Sequence, residues 1–345
     1  MSMLKASSPH IHGPAAVNAV MLEVSLALLP ALAAYTWLFG WGVIFNVLLA
    51  IATALLSEAA VLRMRGREVA ATLGDGSALL TALLLAIALP PLAPWWLIVV
   101  GTAFAIIFAK QLYGGLGFNP FNPAMVGYVV LLISFPLEMT SWLAPLDVRE
   151  HTLDLSATAA YVFGGQLPLQ GGIDSLTMAT PLDTVKTRLG LEHTMGEILR
   201  DPVLGILGGR GWEIVNAMVL LGGLWMLFRR LITWHVPVAM LGTLFVTSGL
   251  FHLIDPEHYS GPLFHIASGG ALLGAFFIAT DPVSGATSTR GRIIFGIGVG
   301  LFTFIIRAWG GYPDGVAFSI LLMNMAAPTI DYYTRPRVFG HTGGH

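Results

Sequence analysis

The sequence contains no cysteine and only 10% charged residues over 345 positions. The first absence excludes disulfides, thiolate zinc sites, cysteine-ligated iron–sulfur clusters and a cysteine nucleophile. Any electron carrier held by this chain must therefore be an organic cofactor or a haem. The second absence excludes an ordinary soluble globule, which carries about 25% charged residues. The few charges nearly balance, 17 basic against 19 acidic, and leave no polybasic footprint for nucleic acid. What is present is apolar: 55% hydrophobic residues and a mean hydropathy of +0.76. That is the composition of a chain solvated mainly by lipid.

A bilayer core needs roughly 20 apolar residues per helix. Runs of this kind recur at 18–38, 41–62, 77–90, 92–109, 120–136, 212–228, 235–253, 264–280, 292–309 and 314–330. They predict an all-α polytopic membrane protein of ten transmembrane helices. Five fall in 1–136 and five in 212–345, with a long polar stretch at 137–211 between them. The first residues show no cleavable signal peptide. With both termini on the cytoplasmic side, Lys5, Arg63, Arg65, Arg67, Lys110, Arg229, Arg230, Arg290, Arg292, Arg335 and Arg337 all fall inside, as the distribution of positive charge in membrane proteins requires. The 137–211 stretch then lies outside.

The run 77–90 is too short to cross unaided, about 20 Å at 1.5 Å per residue. It follows Gly74-Asp75-Gly76 and ends at Pro90-Pro91. Interrupted spans of this type point to repeat-built membrane folds with polar sites near the midplane. A displacement of 193 residues lays Gly76-Ser-Ala-Leu-Leu over Gly269-Gly-Ala-Leu-Leu, and Gly117, Pro120 and Ala124 over Gly310, Pro313 and Ala317. The two copies run in opposite directions, so the expected architecture is a pair of inverted five-helix repeats.

Three segments are too polar, or too rich in Gly, Pro and Asn, for plain spans. In Gly114-Gly-Leu-Gly-Phe-Asn-Pro-Phe-Asn-Pro123, the prolines suit a first helical turn, and Asn119 and Asn122 supply caps or free amides. It reads as a well-capped helix start or as a cofactor or ion contact. Asp281-Pro-Val-Ser-Gly-Ala-Thr-Ser-Thr-Arg-Gly-Arg292 carries hydroxyls, arginines and glycines that can cradle a phosphate or a flavin edge; it reads equally as a basic inner turn. Asp174-Ser-Leu-Thr-Met-Ala-Thr-Pro-Leu-Asp183, by composition, is a surface turn. Glu23, Glu58 and Lys110 fall within or at the ends of spans and are candidates for an ion path. Each reads alternatively as a snorkelling group or a local ion pair. Two histidines near the end, His341 and His345, read as solvated.

The stretch Asp174-Ser-Leu-Thr177-Met-Ala179-Thr180 resembles the flavinylation motif of bacterial respiratory sodium or proton pumps, with Met178 where glycine or serine is more usual. Together with GGLGFNPFNPAMVGY and FIATDPVSGATSTRGR, it makes nearly the whole chain similar to one family. That family, RnfD/NqrB, comprises the D component of the Rnf electron-transport complex and the B component of the sodium-pumping NADH:quinone reductase. Length and span number look more like the former. The resemblance implies FMN joined through its phosphate to Thr180 by a periplasmic flavin transferase, with Asp174, Thr177 and Ala179 as motif residues. It implies a second, non-covalent flavin, riboflavin, placed near Asn119, Asn122, Asp281, Ser284 and Thr287. It also implies partners: other membrane and peripheral subunits of an ion-translocating complex in a bacterial inner membrane, including a second FMN-bearing subunit and iron–sulfur subunits. Asp281-Pro-Val-Ser284-Gly-Ala-Thr287 fits the same short pattern. The topology above places Thr287 inside, away from an external transferase, and Thr180 in an outer loop on mobile backbone. Without the motif, a secondary transporter or channel built on inverted repeats accounts for the same spans.

Overall fold

The computed structural model describes residues 14–149, 151–167 and 172–334. Lys5, Arg335, Arg337 and the terminal histidines lie outside the described residues. Within them the chain is helical, with two isolated bridges, Leu143 to Thr177 and Leu204 to Gly209, in place of strands. The protein is an all-α polytopic membrane protein. Four helical stretches are each long and apolar enough to cross a bilayer: Val17–Phe39, Gly42–Met64, His235–Ile254 and Thr289–Trp309. Large apolar side chains such as Trp37, Leu48, Leu56, Leu250 and Leu253 point outward from them. A helix apolar on every face has a buried side and a lipid side.

The helices fall where the apolar runs predict them. The first run is covered by α1 (Pro14–Ala27) and α2 (Leu29–Phe39), and the second by α3 (Gly42–Met64). Next come α4 (Ser77–Ala88) and α5 (Trp95–Phe104, continued by a π-helix over Ala105–Gln111), then α6 (Pro123–Ser134). The stretch 137–211 contributes α7 (Leu155–Gly164) and α8 (Pro181–Gly190). The second half holds α9 (Trp212–Phe228), α10 (His235–Ile254) and α11 (Pro262–Ala267). It finishes with α12 (Ala271–Leu273, continued by a π turn over Gly274–Ile278), α13 (Thr289–Trp309) and α14 (Val316–Thr334).

Packing follows a parallel scheme in the two halves. Helix α3 packs on α4 and α5, and α5 on α6; likewise α10 packs on α11 and the π turn and on α13, and α13 on α14. The halves meet where α9 packs on α2 and α6 on α14. Both short segments start on a left-handed glycine, Gly76 at φ 77° and Gly269 at φ 64°, a conformation that a Cβ disfavours. These are the two glycines that the 193-residue displacement superposes. The predicted single run 264–280 is thus broken at Ser268–Gly270, as the run 77–90 is broken at its start.

Candidate functional site

Thr180 is the N-cap of α8: its Oγ1 accepts from the Asp183 N–H at 3.3 Å, and Pro181 occupies the first helical position. Threonine as a cap and proline at the next position are what a helix start favours. Thr180 lies in the non-helical stretch that leads into α8, with its hydroxyl engaged as the cap. The motif before it is also tied down. The Met178 N–H donates to Trp142 O at 2.8 Å, the Ala144 N–H to Leu176 O at 2.9 Å, and Thr177 bridges Leu143. Ala179 is exposed. Asp174 lies in the short turn Gly172–Ser175, and its side chain is outside the described part.

Thr180 opens on a cavity of about 350 Å³. Tyr35, Tyr128, Trp142, Trp212 and Tyr312 supply aromatic walls, and Asp183, Asn216 and Asp314 its polar groups. The rings interlock: Tyr35 and Trp212 lie 6.0 Å apart between centroids, and Trp142 meets Trp212 edge-on at 5.0 Å. Flat apolar walls with a few convergent polar groups are the make-up of a small-molecule site, and the volume lies in the usual range of roughly 300–1,000 Å³. Burial raises the Asp183 carboxyl above its ordinary value, with Lys186 opposing. Burial likewise lowers the Lys186 ammonium, with Asp183 opposing.

The turn after α13 closes this cavity. Arg307, almost wholly buried, donates from Nε and Nη2 to Asp314 Oδ1 at 3.2 and 3.0 Å, from Nη1 to the His265 carbonyl at 2.5 Å and from Nη2 to the Ser268 carbonyl at 3.2 Å. Asp314 Oδ2 accepts from the Gly270 N–H at 2.7 Å, and Oδ1 from the Val316 N–H at 3.2 Å. One carboxylate therefore caps both α12 and α14. Sequence reasoning missed this pair, whose members fall at the end of one predicted span, 292–309, and at the start of the next, 314–330.

A second cavity, of about 260 Å³, is lined by Asn119, Asn122, Lys110, Asp281 and Arg292 among others. The Asn122 Oδ1 caps α6 by accepting from the Met125 N–H at 3.2 Å, while its amide donates to Asp281 Oδ2 at 3.3 Å. Ser284 Oγ donates to the same oxygen at 2.9 Å, and Asn119 donates to Phe121 O at 3.0 Å. Asn119, Asn122, Asp281 and Ser284 are thus brought together. Thr287 is not: it is exposed and turns away to Asp331, its Oγ1 donating at 2.9 Å. Neighbouring residues of α6 and of the π turn line the two cavities: Met125 and Ile278 the larger, Pro123 and Phe277 the smaller.

The ion-path candidates separate. Glu58 and Lys110 form a buried pair at 2.6 Å, with Gln111 donating to Glu58 Oε1 at 2.5 Å and Lys110 to Ser77 Oγ at 2.7 Å. Lys110 and Gln111 both lie in the π-helix of α5, a distortion that recurs at functional positions. Glu23 is partly exposed and pairs with Arg229 at 3.0 Å. It belongs to a contact between helix surfaces and not to the buried network, which is the local ion pair of its alternative reading.

Apolar helical segments around a buried pair of charges define a polytopic membrane protein, and two cavities open into its bundle. Residues 4–340 match the NQR2, RnfD, RnfE family, and the chain belongs to that family. Relatives named as the D component of an ion-translocating oxidoreductase complex, from Salmonella paratyphi A, Shigella dysenteriae serotype 1 and Escherichia coli O127:H6, are each 52% identical over 347 residues. The match covers 98% of this chain and 99% of theirs.

Proposed function

We propose that the chain is the membrane flavoprotein subunit of an Rnf-type complex, an oxidoreductase that translocates Na⁺ or H⁺, and that Thr180 carries covalent FMN. The observation that carries this reading is the Thr180 hydroxyl, at a helix N-terminus and on the rim of an aromatic cavity. A phosphate ester there is favoured by the helix dipole and the free N–H groups of the first turn. The bound FMN supplies reversible electron transfer at a fixed position. The protein's part would be to hold and shield it: Tyr35, Trp142, Trp212 and Tyr312 would supply apolar walls, and Asn216, Asp183 and Asp314 polar contacts.

A second, non-covalent flavin, riboflavin, would meet Asn119, Asn122 and Asp281 at the smaller cavity, with Lys110 beside them. In this reading neighbouring residues of α6 and of the π turn stand between the two sites, Met125 and Ile278 on one side and Pro123 and Phe277 on the other. Glu58 and Lys110 remain the candidates for an ion path, and Thr177 and Asp174 the residues presented to the flavin transferase. In this reading the 137–211 segment is periplasmic and both termini are cytoplasmic, in a bacterial inner membrane. The partners are the other Rnf-type subunits, including a second FMN-bearing one and iron–sulfur subunits. The chain alone completes no reaction; it passes electrons between ferredoxin- or NAD-linked partners within a redox-driven translocase, its two membrane halves forming inverted repeats.

The broken segments at Gly76 and Gly269 favour a second reading, a secondary transporter or channel without a redox role. Mass spectrometry of the protein co-expressed with a flavin transferase separates the two. The flavin reading expects the peptide containing Thr180 to gain the mass of FMN less one water. An unmodified peptide favours the transporter.

A further inference from the structure

We propose that Lys186 is a positioning residue: its ammonium group seats α8, and with it Thr180, on the turn that closes the larger cavity. The consequence for the cofactor rests on the reading that Thr180 carries flavin; the structural part does not. Lys186 lies six residues after Thr180 on the same helix, half-buried. Its Nζ donates to the carbonyl oxygens of Gly310 and Tyr312, the latter at 3.0 Å, and approaches those of Ile306 and Arg307 at 3.4 Å each. The last carbonyls of a helix have no partner within it and carry the negative end of its dipole. A cation at the end of α13 therefore satisfies both demands, and here the cation comes from a different helix more than a hundred residues earlier in the chain.

The same turn continues to Tyr312 and Asp314, which line the cavity with Thr180. Lys186 thus fixes a wall of the cavity relative to the residue at its rim. The other cation on α8, Arg188, pairs with Asp201, an attachment within the outer segment that does not reach the turn. A methionine at 186 keeps the aliphatic stem and loses every donor. Arginine keeps the charge and the donors.

The absence of cysteine makes the test direct. Thr187→Cys and Gly311→Cys place one spin label on α8 and one on the turn; both positions are exposed, and a side chain at 311 meets nothing within 4 Å. Distances between the labels are measured in the full-length protein in lipid nanodiscs. The proposal expects a single narrow distribution with lysine or arginine at 186 and a broadened, shifted one in Lys186→Met. Should Lys186→Met fail to fold, Lys186→Gln, whose shorter amide does not span to the turn, is compared with Lys186→Arg and is expected to broaden. Unchanged distributions in the donor-shortened or donor-less variant overturn the proposal. In protein co-expressed with a flavin transferase, Lys186→Met is further expected to keep its flavin fluorescence and lose fluorescence anisotropy. A wild type without flavin contradicts the reading of Thr180 but leaves the distance result to decide the role of Lys186.

Discussion

The main-chain N–H of Asn122 donates to Asn324 Oδ1 at 3.1 Å, across 202 residues of sequence. Asn324 in turn donates from Nδ2 to Ser284 O at 3.0 Å. A single side chain on the last helix thus satisfies the start of α6 and the segment after the π turn, both at the smaller cavity. All of these groups are buried, where a polar group without a partner is costly.

Asn324→Leu leaves that N–H and that carbonyl unpaired, at about 1–3 kcal/mol each. The expected result is a lower thermal midpoint together with loss of non-covalent flavin from the purified protein, measured by acid extraction. An unchanged midpoint contradicts the assigned role.

The Glu58–Lys110 pair is expected to behave non-additively. Lys110→Met strands a fully buried carboxylate, and breaking such a pair typically costs about 3–5 kcal/mol. The double variant Glu58→Leu/Lys110→Met removes both charges and is expected to unfold closer to wild type than Lys110→Met does. Chemical denaturation of the four proteins in detergent forms the cycle. A double loss equal to the sum of the single losses speaks against the pair.

Gly222 marks a close approach between the two halves. A Cβ there lies 2.1 Å from the Ala27 carbonyl oxygen, so Gly222→Ala must push α9 away from α1. Gly242 on α10 has nothing within 4 Å of the same position. Gly242→Ala is expected to be neutral or to stabilise by up to about 1 kcal/mol, as alanine does in a helix interior. Thermal melts that rank the two variants the other way contradict the packing described.

Asp183 sets a pH dependence. Burial raises its carboxyl above the ordinary 3.8, so the folded state holds this proton more tightly than the unfolded chain. Its contribution is therefore favourable below the unfolded value and is lost as pH rises through the folded one. Asp183→Asn is expected to raise the thermal midpoint at pH 7 and to change it less near pH 4. An equal change at both values contradicts the burial argument.

Much of the fold was legible because lipid solvation writes itself into composition: an apolar run of sufficient length is a helix whatever its neighbours. The break before α12 was legible in principle, since the 193-residue displacement lays Gly269 on Gly76, but a single apolar run hid it. The cavity walls were not legible. Tyr35, Trp142, Trp212 and Tyr312 lie on four separate stretches of sequence, and no local period links them. Nor does any pattern tie Lys186 to the end of α13 or Arg307 to Asp314, whose charges look like ordinary helix-end residues until the chain is folded. Glu23 is settled only by the fold: of the readings open to an acid inside an apolar run, the local ion pair is the one formed, with Arg229 at the helix surface.

The most direct test of the central claim is a denaturing gel viewed under ultraviolet light, run on protein co-expressed with a flavin transferase. Thr180 at the cavity rim, and not the exposed Thr287 bound to Asp331, is expected to carry the flavin. The wild type and Thr287→Ala should give a fluorescent band, and Thr180→Ala should give none. A dark wild-type band, or one that persists in Thr180→Ala, contradicts the account.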